Sequence, residues 1–225
     1  MRLFVVCIAS LMVCAMSMAT AQAGVSVGGT RVIYAGDKKE ASLSVTNPDT
    51  IPYLIQSWIE MQDASAGKAP FIITPPLYRL DKGQINVMRI VRAGNLPEDK
   101  ESLFWLNIKS IPSTERRDNT LQIAIKTRIK LIYRPAALGQ SNPLAQADKL
   151  SWKSVGKFIQ VTNPSPYFIN FNEITVAGKR VEEVTFVAPG SSARFALPDG
   201  VTGGNVTFKI INDYGGISDA HRSAI

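Results

Sequence analysis

The stretch LPEDKESLFWLNIKSIP, from Leu96 to Pro112, decides the fold. Its centre, Leu103–Ile108, is a short run of bulky apolar residues with turn-forming residues on either side. Such a run, rich in aromatic and branched side chains and too short for a typical helix, is characteristic of a buried β-strand. The stretch therefore predicts a strand inside a sheet.

Strand-like segments continue on both sides of this stretch. Leu43 and Val45 alternate with hydroxyl side chains, which is the period of two expected for a half-buried strand. Further strands are predicted at Tyr53–Ile59, Val87–Val91 and Leu121–Tyr133. The last of these places Leu121, Ile123 and Ile125 on one face. Pro and Gly recur between the runs and no convincing amphipathic helix is found, so the predicted fold class is all-β.

A partial internal repeat divides the chain. VTNP at Val45–Pro48 is followed by PYLI at Pro52–Ile55, and a second VTNP at Val161–Pro164 is followed by PYFI at Pro166–Ile169. Each copy predicts a strand, an Asn-Pro turn and a second strand led by an aromatic residue. The copies lie about one sandwich domain, or roughly 100 residues, apart. Chance similarity of two Asn-Pro turns is the alternative interpretation.

Between the two copies, the segment RPAALGQSNP at Arg134–Pro143 has the composition of a linker. We place the domain boundary there, which gives an N-terminal unit of residues 24–138 and a C-terminal unit of residues 139–225. Each unit contains several short strands with a turn signal about every ten residues, a spacing that favours two β-sandwiches.

The first 23 residues are predicted to be a secretion signal. Arg2 supplies a positive end, Leu3–Met16 is almost wholly apolar, and Ala21–Ala23 is an A-x-A cleavage site, with Ala19–Ala21 as a weaker alternative. The mature chain is expected to begin at Gly24 outside the cytoplasm. No later segment is long and apolar enough to span a bilayer, so no membrane insertion is expected.

The mature chain lacks the side chains that most catalytic sites need. Cys7 and Cys14, the two cysteines, lie in the predicted signal, and His221 is the one histidine. A His/Cys zinc site is thereby excluded, and no Gly-x-Ser-x-Gly elbow or glycine-rich phosphate loop occurs. The sequence predicts no metal, no cofactor and no enzymatic activity, although spacing alone leaves a paired-carboxylate site open.

The chain is basic, with 25 Lys and Arg against 18 Asp and Glu and a formal net charge of +7. Outside the cytoplasm, nucleic acid is not the expected partner. The excess of positive charge is either an ordinary solvated surface or a site for carboxylates or an acidic partner.

Four blocks in this chain resemble the PapD-like family of pilus chaperones. They are the opening stretch from Leu96 to Pro112, Thr30–Tyr34 (TRVIY), Ile129–Pro135 (IKLIYRP) and Ile211–Gly216 (INDYGG). The blocks occur in the family's order and span nearly the whole mature chain, so together they are highly specific.

The resemblance implies two immunoglobulin-like sandwiches set at an angle, with a cleft between them. It implies that Arg31 and Lys130 project into the cleft and bind the C-terminal carboxylate of a pilus subunit. It also implies that the strand from Leu121 onward pairs with the subunit by donor-strand complementation, with Leu121, Ile123 and Ile125 entering the groove left by a missing strand.

Glu101, Arg134 and Asp213 match the residues that link the two domains by charge in this family. The family is periplasmic and delivers its subunits to an outer-membrane usher, so both are expected partners of this chain. The loop from Ser113 to Thr120 is short and resembles the short-loop branch of the family. Residues 217–225 match the family least, which leaves a final strand there uncertain.

The residues themselves leave alternatives open. Arg31 and Lys130 are also consistent with ordinary surface cations, and the alternating apolar residues from Leu121 fit the domain's own core equally well. The alternative function is an exported two-domain adhesin or a structural pilus protein. Strand-like sequence begins within a few residues of Gly24, which leaves little room for the N-terminal extension that a pilus subunit donates.

Overall fold

A computed structural model describes residues 24–63, 66–113, 121–139 and 141–225. The predicted signal peptide, with both cysteines, lies outside the described residues. So does most of the loop from Ser113 to Thr120 on which the short-loop prediction depends.

The first half of the chain forms a two-sheet sandwich. Its strands, within the described residues, are β1 (Ser26–Val27), β2 (Arg31–Ala35), β3 (Glu40–Thr46), β4 (Tyr53–Met61), β5 (Phe71–Thr74), β6 (Leu77–Leu80), β7 (Ile85–Arg92), β8 (Ser102–Pro112) and β9 (Ile125–Arg134). One sheet has the order β1-β3-β7-β5 and the other β2-β9-β8-β4-β6. The strand pairs are antiparallel except β2 and β9, which run parallel.

The predicted alternation sets which side chains fill the space between these sheets. Leu43 and Val45 on β3 are buried, whereas the hydroxyl residues between them face outward. The opening stretch forms β8, which lies inside its sheet between β9 and β4. Phe104, Leu106 and Ile108 of β8 enter the core. Burial of such side chains contributes about 1.5–3 kcal/mol each, so this strand supplies a large share of the stability of the domain.

The second half forms another sandwich. Its strands are β10 (Ser151–Val155), β11 (Phe158–Asn163), β12 (Ile169–Val176), β13 (Lys179–Arg180), β14 (Phe186–Val187), β15 (Ser191–Ala196), β16 (Val206–Ile210) and β17 (His221–Ser223). Two 3₁₀ helices, Ala136–Leu138 and Pro143–Lys149, connect the halves. The sheets have the orders β10-β11-β15 and β13-β12-β16-β17, with β14 also paired to β12. Trp152, Phe171 and Phe208 lie at the centre of this core.

The internal repeat is visible in the structure as two equivalent turns. Asn47 and Asn163 are both fully buried. The side-chain amide of Asn47 donates to the carbonyl of Ile51 at 2.8 Å, and that of Asn163 donates to the carbonyl of Tyr167 at 2.7 Å. Each Oδ1 accepts from the backbone N–H two residues further on, at 3.0 Å. The same asparagine therefore closes the same turn in both sandwiches.

The two sandwiches share a small apolar contact. Leu103 and Ile132 of the first sandwich pack with Phe168 of the second, and Phe168 meets Phe186 edge to face at 5.6 Å between ring centroids. On the first sandwich, this contact involves the beginning of β8 and the last part of β9. None of the helices in the described ranges is long and apolar enough to cross a membrane.

Two details differ from the sequence-based expectation. The strand predicted from Leu121 begins at Ile125, where its pairing with Ser110 of β8 starts. The uncertain C-terminal strand exists: His221–Ser223 pairs with β16 in an antiparallel register.

Candidate functional site

Arg31 and Lys130 are brought together by the parallel pairing of β2 with β9. The two residues are direct partners in the register, although about 100 residues separate them in the sequence. Both residues are partly buried, and both have hydrogen-bond partners in the second sandwich. The predicted pair of cations is therefore present, in a position where it can meet one small anion from two sides.

The second sandwich supplies the neighbours of both cations. The Nη1 of Arg31 donates to the carbonyl of Ile211 at 3.5 Å. The ammonium of Lys130 donates to Oδ1 of Asn170 through a short hydrogen bond and lies 4.8 Å from the ring centroid of Phe186. The Asn170 carbonyl in turn accepts from the backbone N–H of Ile211 at 2.8 Å. Both cations thus face acceptors or an aromatic ring on the opposite domain.

The electrostatics of this pair indicate an anion site. Burial, and to a smaller extent the positive charge of Arg31, together lower the pKa of Lys130 to about 8. Burial also lowers the pKa of Arg31, with the charge of Asp213 opposing it. Within the described ranges, the Nε of Arg31 is buried and has no hydrogen-bond partner. A buried carboxylate would satisfy that donor and offset the repulsion between the cations.

Glu101, Arg134 and Asp213 also come together, as predicted. Arg134 donates from Nε to Glu101 at 2.7 Å and makes a bidentate pair with Asp213 at 2.7 and 2.8 Å. The second oxygen of Glu101 accepts from the backbone N–H of Phe168 at 2.7 Å. Since Glu101 and Arg134 belong to the first sandwich and Asp213 and Phe168 to the second, these contacts join the two domains.

This charge cluster is buried. The side chain of Glu101 is 0% exposed, that of Arg134 12% and that of Asp213 22%. Burial raises the pKa of Glu101, while the Arg134 guanidinium and the backbone N–H of Phe168 pull it back down. Burial alone lowers the pKa of Arg134, but the two carboxylates outweigh it and leave that pKa raised. The cluster therefore depends on all of its members being present.

The apolar residues of β9 form one row that runs out of the core. Ile129 and Leu131 are buried between the sheets, but Ile125 is 52% exposed, and before the strand Ile123 is 62% and Leu121 82% exposed. The interpretation that these three side chains fill the domain's own core is therefore wrong. They extend the line of the core outward and leave half or more of each side chain exposed.

The backbone at this end of β9 is open as well. On one side, β8 pairs with the strand from Ile125 onward. On the other side, β2 pairs only with Lys130–Arg134, so residues 125–129 present an edge to which no strand among the described residues is bonded. An open edge beside exposed aliphatic side chains is what an added β-strand needs.

One member of each predicted group lies on β9. The strand begins with Ile125, carries Lys130 in its middle and ends on Arg134, and Leu121 and Ile123 lie just before it. Sequence reasoning missed Asn170 and Phe186, which pack against Lys130 from the other domain, because an asparagine or phenylalanine inside a strand carries no signal of such a role. The described ranges contain no cluster of three or more His, Cys, Asp or Glu residues suited to a metal ion.

Comparison with known proteins agrees with this architecture. Residues 24–139 match the family model of the pili and flagellar-assembly chaperone PapD N-terminal domain, and residues 145–222 match that of the pili assembly chaperone PapD C-terminal domain. The chaperone protein FimC of Escherichia coli strain K12 is 44% identical over 215 residues, covering 92% of this chain and 88% of FimC. The chaperone protein LpfB of Salmonella typhimurium is 45% identical over 205 residues, with 87% of each chain covered.

Solved structures agree too. A chain in the complex of the Salmonella enterica SafA pilin with the SafB chaperone superposes with a TM-score of 0.84 at 35% identity, covering 92% of this chain and 99% of the other. The Escherichia coli chaperone DraB gives a TM-score of 0.81 at 37% identity, covering 90% and 96%. With two immunoglobulin-like sandwiches and a match to both family domains, this chain belongs to the PapD family of pilus-assembly chaperones.

Proposed function

We propose that this chain is a periplasmic chaperone that holds a pilus subunit by lending it a β-strand and then delivers it to an outer-membrane usher. The observation that carries the proposal is that β9 and the residues just before it combine an open strand edge, an exposed apolar row and Lys130. A free chain with this edge is exposed to unwanted pairing, a liability that isolated proteins avoid. A partner that covers the edge removes the liability.

Binding in this proposal has two parts. The subunit's terminal carboxylate takes both cations, with the fork of Arg31 and the point charge of Lys130 compensating one anion. The preceding residues of the subunit then extend along β9, where main-chain hydrogen bonds form regardless of sequence. Leu121, Ile123 and Ile125 enter the subunit's groove. Recognition by terminus and backbone suits a chaperone that serves several related subunits.

Co-expression with candidate pilus subunits from the same organism tests the function as a whole. A chaperone yields a soluble one-to-one complex that co-purifies from the periplasm. An adhesin or structural pilus protein is instead recovered in surface fibres, and that outcome would overturn the proposal.

Export requires removal of the N-terminal signal, and we predict that the mature protein starts at Gly24. The new α-ammonium would be well placed, since the backbone nitrogen of Gly24 already donates to Oδ2 of Asp49 at 2.9 Å. Mass spectrometry of the protein recovered from the periplasm measures the start directly. A retained N-terminus, or a lipid attached to Cys14, would contradict this prediction.

The exposed apolar row gives a second prediction. Ile123→Ala is expected to lower the affinity for a subunit by about 1.5–3 kcal/mol, the contribution of fully burying one such side chain. The unfolding free energy of the free protein should change far less, because Ile123 is 62% exposed there. Urea unfolding of the free variant and its affinity for a purified subunit are the two measurements.

The matched control is Leu131→Ala, farther along the same row but fully buried. There the free protein should lose about 2–5 kcal/mol of stability, the usual result of truncating an aliphatic core residue. If Ile123→Ala instead behaves like Leu131→Ala, with a large unfolding loss and unchanged affinity, Ile123 is no part of the donated strand.

A further inference from the structure

The two cations proposed to bind the carboxylate, Arg31 and Lys130, lie on the first sandwich but have contacts on the second. Lys130 projects from β9 toward the second sandwich, where its ammonium donates to Oδ1 of Asn170. Asn170 lies on β12 and is 2% exposed, so its side chain has little freedom to move away. A buried, fixed acceptor on the opposite domain therefore decides where the charged end of a flexible lysine side chain rests.

Asn170 is also linked to the other cation. Its backbone carbonyl accepts from the N–H of Ile211, and the carbonyl of Ile211 is the acceptor that Arg31 reaches. Asn170 pairs with Phe186 across β12 and β14, and the ring of Phe186 forms the remaining wall beside Lys130. Asn170 thus contacts Lys130 directly and is joined to the acceptor of Arg31 by one backbone hydrogen bond.

We propose that Asn170 is a positioning residue that holds the Lys130 ammonium toward the incoming carboxylate, so that the anchor is assembled by both domains. The inference rests on the proposed function and deepens it. The amide oxygen is a neutral acceptor: it stabilises the charged lysine without supplying the negative charge that would compete with the subunit. A carboxylate at this position would instead occupy the site from within.

The titration of Lys130 reports on this contact directly. The groups that face its ammonium are Arg31 on β2 and the neutral side chains of Asn170 and Phe186 on the second sandwich, and Trp105 is its register partner on β8. Arg128 lies two residues before it on β9. Since the acceptor favours the protonated lysine, removing it lowers the midpoint below the wild-type value of about 8.

The test is an NMR titration of Lys130 in the free full-length mature protein, with lysine side chains isotopically labelled and Lys130→Ala used for assignment. Asn170→Ala is expected to lower the midpoint by about one unit, the effect of one hydrogen bond to a charged group. Asn170→Asp is expected to raise it, and this opposite sign keeps the test decisive if the alanine variant does not fold. Asn172→Ala, the same change two residues along the chain, should leave it as in wild type.

A second experiment measures the affinity for a decapeptide of alternating valine and threonine, prepared once with a free C-terminal carboxylate and once as its C-terminal amide. Asn170→Ala should lower the affinity for the carboxylate peptide about three- to tenfold at neutral pH and leave the affinity for the amide peptide unchanged. Asn170→Asp should also lower the affinity for the carboxylate peptide. Unchanged Lys130 midpoints in both variants would overturn the positioning role, whereas equal binding of the two peptides to wild type would overturn the carboxylate anchor itself.

Discussion

Replacing Arg31 or Lys130 by alanine is expected to reduce the affinity for a pilus subunit by about thirtyfold to several-thousandfold. The range corresponds to about 2–5 kcal/mol, the usual cost of truncating one partner of a desolvated charge pair, much of which comes from the carboxylate left unpaired. The fold should survive in both variants, because each change removes a positive charge that is buried beside another. Affinity measured with a purified subunit, together with circular dichroism of the free variants, checks both statements.

The pH dependence of binding follows from the same pair. With its pKa near 8 in the free protein, Lys130 is protonated below that pH and loses its charge above it. Since a carboxylate binds the charged form, affinity should be highest below about pH 8 and fall as the pH rises through this value. In Lys130→Ala, the affinity should no longer fall as the pH rises through about 8.

Lys126→Ala is the matched control for the anchor. Lys126 lies on the same strand four residues earlier, is exposed, and stacks over Trp58 at 5.8 Å from the ring centroid. Its loss should cost less than about 1 kcal/mol, as is usual for exposed charges. Undiminished subunit binding by both Arg31→Ala and Lys130→Ala would refute the anchor, and an equal loss in Lys126→Ala would reduce it to general electrostatic attraction.

Local sequence patterns predict the fold well where the structure depends on residues close together in the sequence. The alternation at Leu43 and Val45 fixes which face of β3 is buried, and the two Asn-Pro turns are closed by equivalent buried asparagines. The strand at Leu121 was predicted too early for a reason that local sequence does not contain. Alternation continues to Leu121, but pairing with β8 ends opposite Ile125.

The site depended on information that no local pattern carries. Arg31 and Lys130 become neighbours through parallel pairing of distant strands, and the resemblance to a family, rather than periodicity, singled them out. Glu101 lies in a charged stretch that is typical of a surface loop, yet its side chain is fully buried because the second sandwich covers it. Asn170 gave no signal at all, since its role exists only where the two domains meet.

The burial of the charge cluster changes what its disruption should do. Exposed ion pairs are worth at most about 1 kcal/mol, so breaking one changes stability little. With Glu101 fully buried and Arg134 nearly so, Arg134→Ala is expected to cost about 3–5 kcal/mol of unfolding free energy, because it leaves a carboxylate buried without its partner. Denaturant unfolding measures the loss, and small-angle scattering should show a changed or broader arrangement of the two domains.

The loss in Arg134→Ala should depend on pH. Burial already raises the pKa of Glu101, and removing the opposing guanidinium raises it further. A carboxyl whose pKa is raised on folding favours the folded state while it is protonated, and this contribution is lost as the pH rises through the folded-state pKa. The deficit of the variant should therefore be small in acid, where Glu101 is neutral in both proteins, and should grow toward neutral pH.

Adding Glu101→Gln to Arg134→Ala isolates the cause. The amide oxygen of glutamine can still accept from the backbone N–H of Phe168, the contact that Glu101 makes at 2.7 Å, but it carries no charge. The double variant should recover much of the lost stability and lose its pH dependence, since the buried charge is gone. It should not recover the wild-type scattering curve, because the bidentate pair between Arg134 and Asp213, which joins the two domains, is still missing. A double variant as unstable as Arg134→Ala at every pH would show that lost packing of the arginine, rather than the stranded carboxylate, causes the effect.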